Sequence, residues 1–140
     1  MKVLLHLADG FEEIEALSTL DILRRADIDT TTVSIMGRIE VKSSRGVIIQ
    51  ADKVFSDINY QEFDMIILPG GPGTTLLDQH EELKSHLKNY DAEGKWIAAL
   101  CAAPSVLGKL NLLNGKNAVC YPGYENDLLG AKVSLNEKVV

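Results

Sequence analysis

The sequence predicts a three-layer α/β/α sandwich around a mostly parallel sheet, and three observations carry that prediction. Short apolar or β-branched runs alternate with helical stretches, the order that gives parallel strands joined by right-handed crossovers. The loops richest in chemistry, residues 9–15, 69–75 and 100–104, each follow a predicted strand. No repeat, linker or low-complexity tract divides the chain, and its 140 residues suit one domain with a real core.

Residues 2–8 are a continuous apolar run closed by Asp9-Gly10, and they predict a buried strand. A helix is expected over about 11–26, with Asp27 and Asp29 marking its exit. Residues 30–36 are β-branched and predict a second strand. Residues 41–42 and 47–50 read as a hairpin split by Ser43-Ser44-Arg45-Gly46. Residues 65–68 make a short apolar strand, ended by Pro69-Gly70-Gly71-Pro72-Gly73. Helical signals cover 74–78 and 81–90 and stop at Gly94. Residues 96–100 form another strand and 103–110 another helix, with Pro104 suited to its first turn. Asn114-Gly115 turns the chain into 118–120, and 132–135 and 139–140 are strand-like. This order is that of a flavodoxin-like sandwich, in which ligands sit outside the carboxyl ends of the strands.

Composition narrows the function. The apolar share of 46% and charged share of 24% are those of a soluble globular protein. A formal charge of −6 argues against nucleic acid or anionic membrane as a partner, since phosphate binding needs a basic face. No apolar run is long enough to span a bilayer, and the opening run before Asp9-Gly10 is too short for a signal peptide. Two cysteines make no disulfide framework, so a reducing, cytoplasmic setting is expected.

Three segments carry candidate chemistry. In Ala98-Ala99-Leu100-Cys101-Ala102-Ala103-Pro104 a nucleophile stands between strand and helix, with small residues two before and two after. A nucleophile elbow requires those small residues, because its sharp turn brings the backbones close. The helix that follows is expected to favour thiolate at Cys101; a buried, inert cysteine is the alternative. In Gly10-Phe11-Glu12-Glu13-Ile14-Glu15, the first two glutamates suit a helix N-terminus. Glu15 instead falls on a stripe with Phe11, Ser18, Ile22 and Ala26, where burial is expected to raise its pKa. Asp21 interrupts the neighbouring line further from the loops and reads as structural. Gly70-Gly71 can turn backbone N–H groups toward an oxyanion, although a plain tight turn explains them equally well. His80 and His86 are six apart and are expected to point away from each other on one helix, with His6 in a strand, so no metal site is predicted.

Taken together these segments, with Ile66-Ile67-Leu68-Pro69-Gly70-Gly71, Asp21-Ile22-Leu23-Arg24-Arg25-Ala26 and Ser44-Arg45-Gly46, resemble the ThiJ/PfpI superfamily and its parkinsonism-associated protein deglycase branch. The resemblance spans almost the whole chain. It implies a flavodoxin-like homodimer with Cys101 as nucleophile and Glu15 as the carboxylic acid hydrogen-bonded to its sulfur. It also implies Gly70, Gly71 and Ala102 as oxyanion donors or binding residues, and an anion pocket drawn from Arg25 and Arg45. No cofactor is implied. The expected activity is glyoxalase- or deglycase-type chemistry on small carbonyls or glycated protein. The alternative is a redox sensor or redox-regulated chaperone in which the same cysteine is oxidised to sulfinate. A flavin- or phosphate-binding module lacks a phosphate motif.

The chain departs from the family pattern in three places. Cys120-Tyr121-Pro122 stands where some relatives carry a histidine before the proline, which leaves the general base open. Ala102 follows Cys101 where protease-like relatives have histidine, which disfavours a peptidase. The family's closing Ser-Arg-Gly-Pro strand and terminal helix are absent, so the domain is expected to be truncated at its C-terminus. Cys120 reads as structural, with a Cys101–Cys120 disulfide as an alternative to sulfinate.

Overall fold

A computed structural model describes residues 1–140. Its central sheet has five parallel strands in the order β5-β2-β1-β6-β7. These are β1 (Lys2–Leu7), β2 (Asp29–Ser34), β5 (Lys53–Val54), β6 (Met65–Leu68) and β7 (Trp96–Ala99). An antiparallel hairpin of β3 (Glu40–Lys42) and β4 (Ile48–Gln50) lies outside it. A short parallel pair, β8 (Asn117–Ala118) and β9 (Lys132–Val133), follows near the end of the chain. The helices are α1 (Glu13–Arg25), α2 (Thr74–Gln79), α3 (Glu81–Ala92) and α4 (Pro104–Lys109).

The period-two alternation of a strand sorts the core into two layers. Val3, Leu5 and Leu7 of β1 join Ile67, Phe11, Ala16 and Val41 on the face covered by α1 and the hairpin. Leu4 joins Val33, Ile66 and Leu68 against Leu77 of α2, Leu83, Leu87 and Tyr90 of α3, and Val106 and Leu107 of α4. Each large side chain buried this way contributes about 1.5–3 kcal/mol against the cost of ordering the chain. Cover on both faces lets the central strands bury apolar side chains on both sides, as β1 does at Val3-Leu4-Leu5 and β6 at Ile66-Ile67-Leu68.

Several expectations change. The stripe expected to bury Glu15 does not exist as a buried line: Ile22 is 65% exposed, and Ser18 and Ala26 are also exposed. α1 rests on the sheet through Ala16, with Leu20 and Leu23 partly buried beside it. Residues 139–140 form no strand and are exposed. β5 and the 3-10 turns Phe55–Asp57, Tyr60–Glu62 and Glu125–Asp127 carry too few residues to leave a periodic signal. No helix is long and apolar enough to cross a membrane.

Candidate active site

β1, β6 and β7 are neighbours, so the loops leaving their carboxyl ends meet. Hydrogen bonds fix that meeting: the Glu12 N–H donates to the Gly70 carbonyl at 3.0 Å, and the Gly73 N–H to the Gly10 carbonyl at 3.0 Å. Only glycine fits the junction. A Cβ on Gly70 would stand 2.6 Å from the Cys101 Cβ, 2.7 Å from Glu15 Oε2 and 3.1 Å from the Ala102 nitrogen. Gly71 adopts φ +92°, and a Cβ there would stand 2.6 Å from the Glu12 nitrogen.

Cys101 itself has φ +57°, a left-handed conformation that a non-glycine residue holds only where its surroundings enforce it. It occupies the turn between β7 and α4, as an elbow requires. The Tyr121 N–H donates to the Cys101 carbonyl at 2.7 Å and ties down the far side of the turn. The sulfur is half-buried, and the N–H groups of Ala102 and Gly71 lie near enough to favour its ionised form. The Glu15 carboxyl group stands close enough to act on its ionisation.

Glu15 is held from two sides. Glu12, the N-cap of α1, accepts the Glu15 N–H on its own carboxylate at 2.8 Å, and Glu15 Oε2 accepts the Gly70 N–H at 2.8 Å. Glu12 thus orients the residue beside the cysteine, a role that ordinary helix-end charge hid in the sequence. Glu13 turns the other way and accepts from the Ser43 and Ser44 hydroxyls and the Arg45 N–H.

The electrostatics reverse one expectation. Burial, then the hydrogen bond and charge of Glu15, push the Cys101 thiol up to about 11, against the pull of the Ala102 and Gly71 N–H groups. The expected helix effect is weak because α4 has six residues and starts only at Pro104. Burial and the Glu15 carboxyl group together outweigh the two N–H groups at the sulfur. Burial and Glu15 therefore lift the thiol's pKa, where the helix that follows led us to expect thiolate.

Arg25 does not join this cluster. It lies ten residues beyond Glu15 on α1, about 15 Å along the axis, and its exposed guanidinium pairs with Asp21 at 2.8 Å. Arg45 sits on the exposed loop that Glu13 anchors, and its backbone N–H is the group engaged. Tyr121 reaches the elbow through its backbone, and the residue is 57% exposed.

The DJ-1/PfpI family model matches residues 1–140. The chain belongs to the DJ-1/PfpI family. It is 37% identical over 140 residues to protein DJ-1 homolog B of Arabidopsis thaliana, covering 99% of this chain and 32% of that protein's length. The chain thus spans about a third of that relative. A protein of Pyrococcus abyssi named a deglycase is 29% identical over 133 residues, covering 95% of this chain and 80% of its own length. Among solved structures, oxidized DJ-1 of Toxoplasma gondii superposes with a TM-score of 0.86 at 41% identity, covering 90% of this chain and 70% of that one. These likenesses agree with the flavodoxin-like sandwich and with the superfamily read from the motifs.

Proposed function

We propose that this DJ-1/PfpI chain is a cysteine-dependent enzyme of glyoxalase or deglycase type, acting in the cytoplasm on small reactive carbonyls or their adducts on protein. One observation carries the reading. A cysteine held at φ +57° has a carboxyl group and two backbone N–H donors converging on its sulfur. The Pyrococcus abyssi relative named a deglycase supports the same class.

The chemistry follows from the placement. A thiol lifted to about 11 is a poor nucleophile at neutral pH unless a base takes its proton as it attacks. Glu15, close to the sulfur, is that base. The sulfur adds to the aldehyde carbon of a 2-oxoaldehyde, its proton passes to Glu15, and the Gly71 and Ala102 N–H groups steady the oxyanion. Once the oxyanion is protonated the product is a hemithioacetal. Glu15 then moves a proton from the former aldehyde carbon to the neighbouring carbonyl carbon by way of an enediol, leaving a thioester. Water hydrolyses the thioester to a 2-hydroxy acid and free Cys101.

A specific feature also favours oxidation sensing at the same cysteine. The N–H groups aimed at the sulfur would donate hydrogen bonds to sulfinate oxygens, and the Toxoplasma gondii relative was solved oxidized. The assembly we propose is a homodimer. Ile14, Ile22 and Ile48 are 73%, 65% and 63% exposed on α1 and the adjoining hairpin, a surface suited to a second copy.

Lactate formation from methylglyoxal by wild type and Cys101→Ala tests the proposal. Turnover that disappears in the variant supports the enzyme. No turnover in wild type, alongside rapid sulfinate formation detected by mass spectrometry, supports the sensor.

A further inference from the structure

All three histidines of the chain converge on one seam, away from Cys101. His6 follows Leu4 on the β1 face toward α3, and it is fully buried. Its Nε2 lies 2.8 Å from the Tyr60 hydroxyl, while its Nδ1 is buried with no partner. A lone pair is cheaper to bury unpaired than an N–H, so the favoured tautomer has Nε2–H donating to Tyr60. The Tyr60 ring stacks on His86 at 3.6 Å, and Phe55 packs on His80 at 4.3 Å. His80 has a further duty: its Nδ1 accepts the Leu83 N–H at 3.2 Å and caps the N-terminus of α3.

We propose that this seam is an acid-sensitive latch, holding residues 55–62 and the first turn of α3 against β1 at neutral pH and releasing both together as the histidines take up protons. Three events act in the same direction. Protonated His80 has no acceptor left, so α3 loses its cap and gains a positive charge at the end where its dipole is positive. Protonated His86 places a cation beside its two histidine neighbours. Protonated His6 would carry a charge in a fully buried position. The titratable groups facing the seam are Tyr60, Tyr90 and the three histidines, and the only carboxylate acting on His86 is that of exposed Glu82.

Burial, helped by the nearby His80 and His86, lowers His6 from 6.5 to about 3. His86 is lowered by burial, with Glu82 opposing. A released His6 therefore binds a proton that the latched one refuses. The latch is intact above the ordinary histidine range and weakens as pH falls from about 6.5 toward 3.

Hydrogen exchange read by mass spectrometry at about pH 7.5 and about pH 5.5, corrected for intrinsic rates, tests this. Wild-type peptides covering 55–63 and 80–90 should lose about tenfold more protection than the peptide covering 65–68. A His6→Gln variant keeps a side-chain donor for Tyr60 and does not titrate in this interval, so most of that excess should vanish. Equal loss of protection in all three wild-type segments overturns the latch, whether or not the variant folds well. An undiminished excess in a folded variant overturns it as well.

Discussion

The Glu15 carboxyl group and the Cys101 side chain close on Gly70 from two sides, and Glu15 Oε2 accepts the Gly70 N–H at 2.8 Å. A helix, a glycine turn and an elbow thus meet at one acid and one thiol. Burial first, and the acid after it, oppose ionisation of the thiol.

Gly70→Ala tests how tightly the loops are packed. Gly70 has no strained φ to relieve, so the substitution acts through contact alone, with the new methyl 2.6 Å from the Cys101 Cβ. The Glu15 carboxylate can swing aside, but the Cys101 Cβ and the Ala102 backbone cannot. We expect a loss of about 1–3 kcal/mol in denaturant unfolding and slower Cys101 alkylation. Unchanged stability would mean that the loops part easily.

Much of this arrangement was legible in the sequence, for identifiable reasons. The alternation of apolar runs and helices gave the layers, and small residues flanking Cys101 marked the elbow. The stripe singles out Glu15 for a partly wrong reason. Its stripe-mates Ile22 and Ala26 are exposed, and its half-burial comes from Gly70 and Cys101, more than fifty residues away. Non-local contact of that kind leaves no periodicity. The sign of the Cys101 shift was hidden too, because a motif locates a helix N-terminus without its length or the carboxylate opposite. The histidines were read as diverging because spacing put His80 inside α3, whereas it is the residue that caps it.

Glu13 offers a separate check through pH. Hydrogen bonds led by the Ser43 hydroxyl, with Ser44 and Arg45, lower its carboxyl from 4.5 to about 2. A lowered folded-state pKa contributes stability above the ordinary value, and that contribution fades as pH falls toward about 2. Glu13→Gln should therefore raise amide exchange at Arg45 near neutral pH while leaving strand amides alone. Identical exchange at Arg45 in the two proteins would show that the 43–46 loop holds itself.

Peroxide should oxidise Cys101 without joining it to Cys120. The Cys101 sulfur faces Glu15, Gly71 and Ala102, whereas Cys120 takes the Tyr124 N–H and lies near Glu125 and Asp127. Both cysteines are free in the structure. Peptide mapping after mild peroxide should find sulfinate at Cys101 and a reduced Cys120. A Cys101–Cys120 disulfide as the main product would mean that the elbow rearranges on oxidation.

The most direct measurement follows thiolate absorbance at about 240 nm against pH in wild type, Glu15→Gln and Glu15→Leu, each in a Cys120→Ser background. Wild-type Cys101 should titrate near 11, because burial and the Glu15 carboxylate both oppose the thiolate. Both substitutions remove the charge and leave the Gly71 and Ala102 N–H groups available, so Cys101 should ionise at lower pH. Glutamine can also donate to the thiolate, and its curve should shift further. If Glu15→Leu instead titrates at or above the wild-type value, Glu15 is not what holds the thiol protonated, and the assignment of acid and nucleophile to this pair fails.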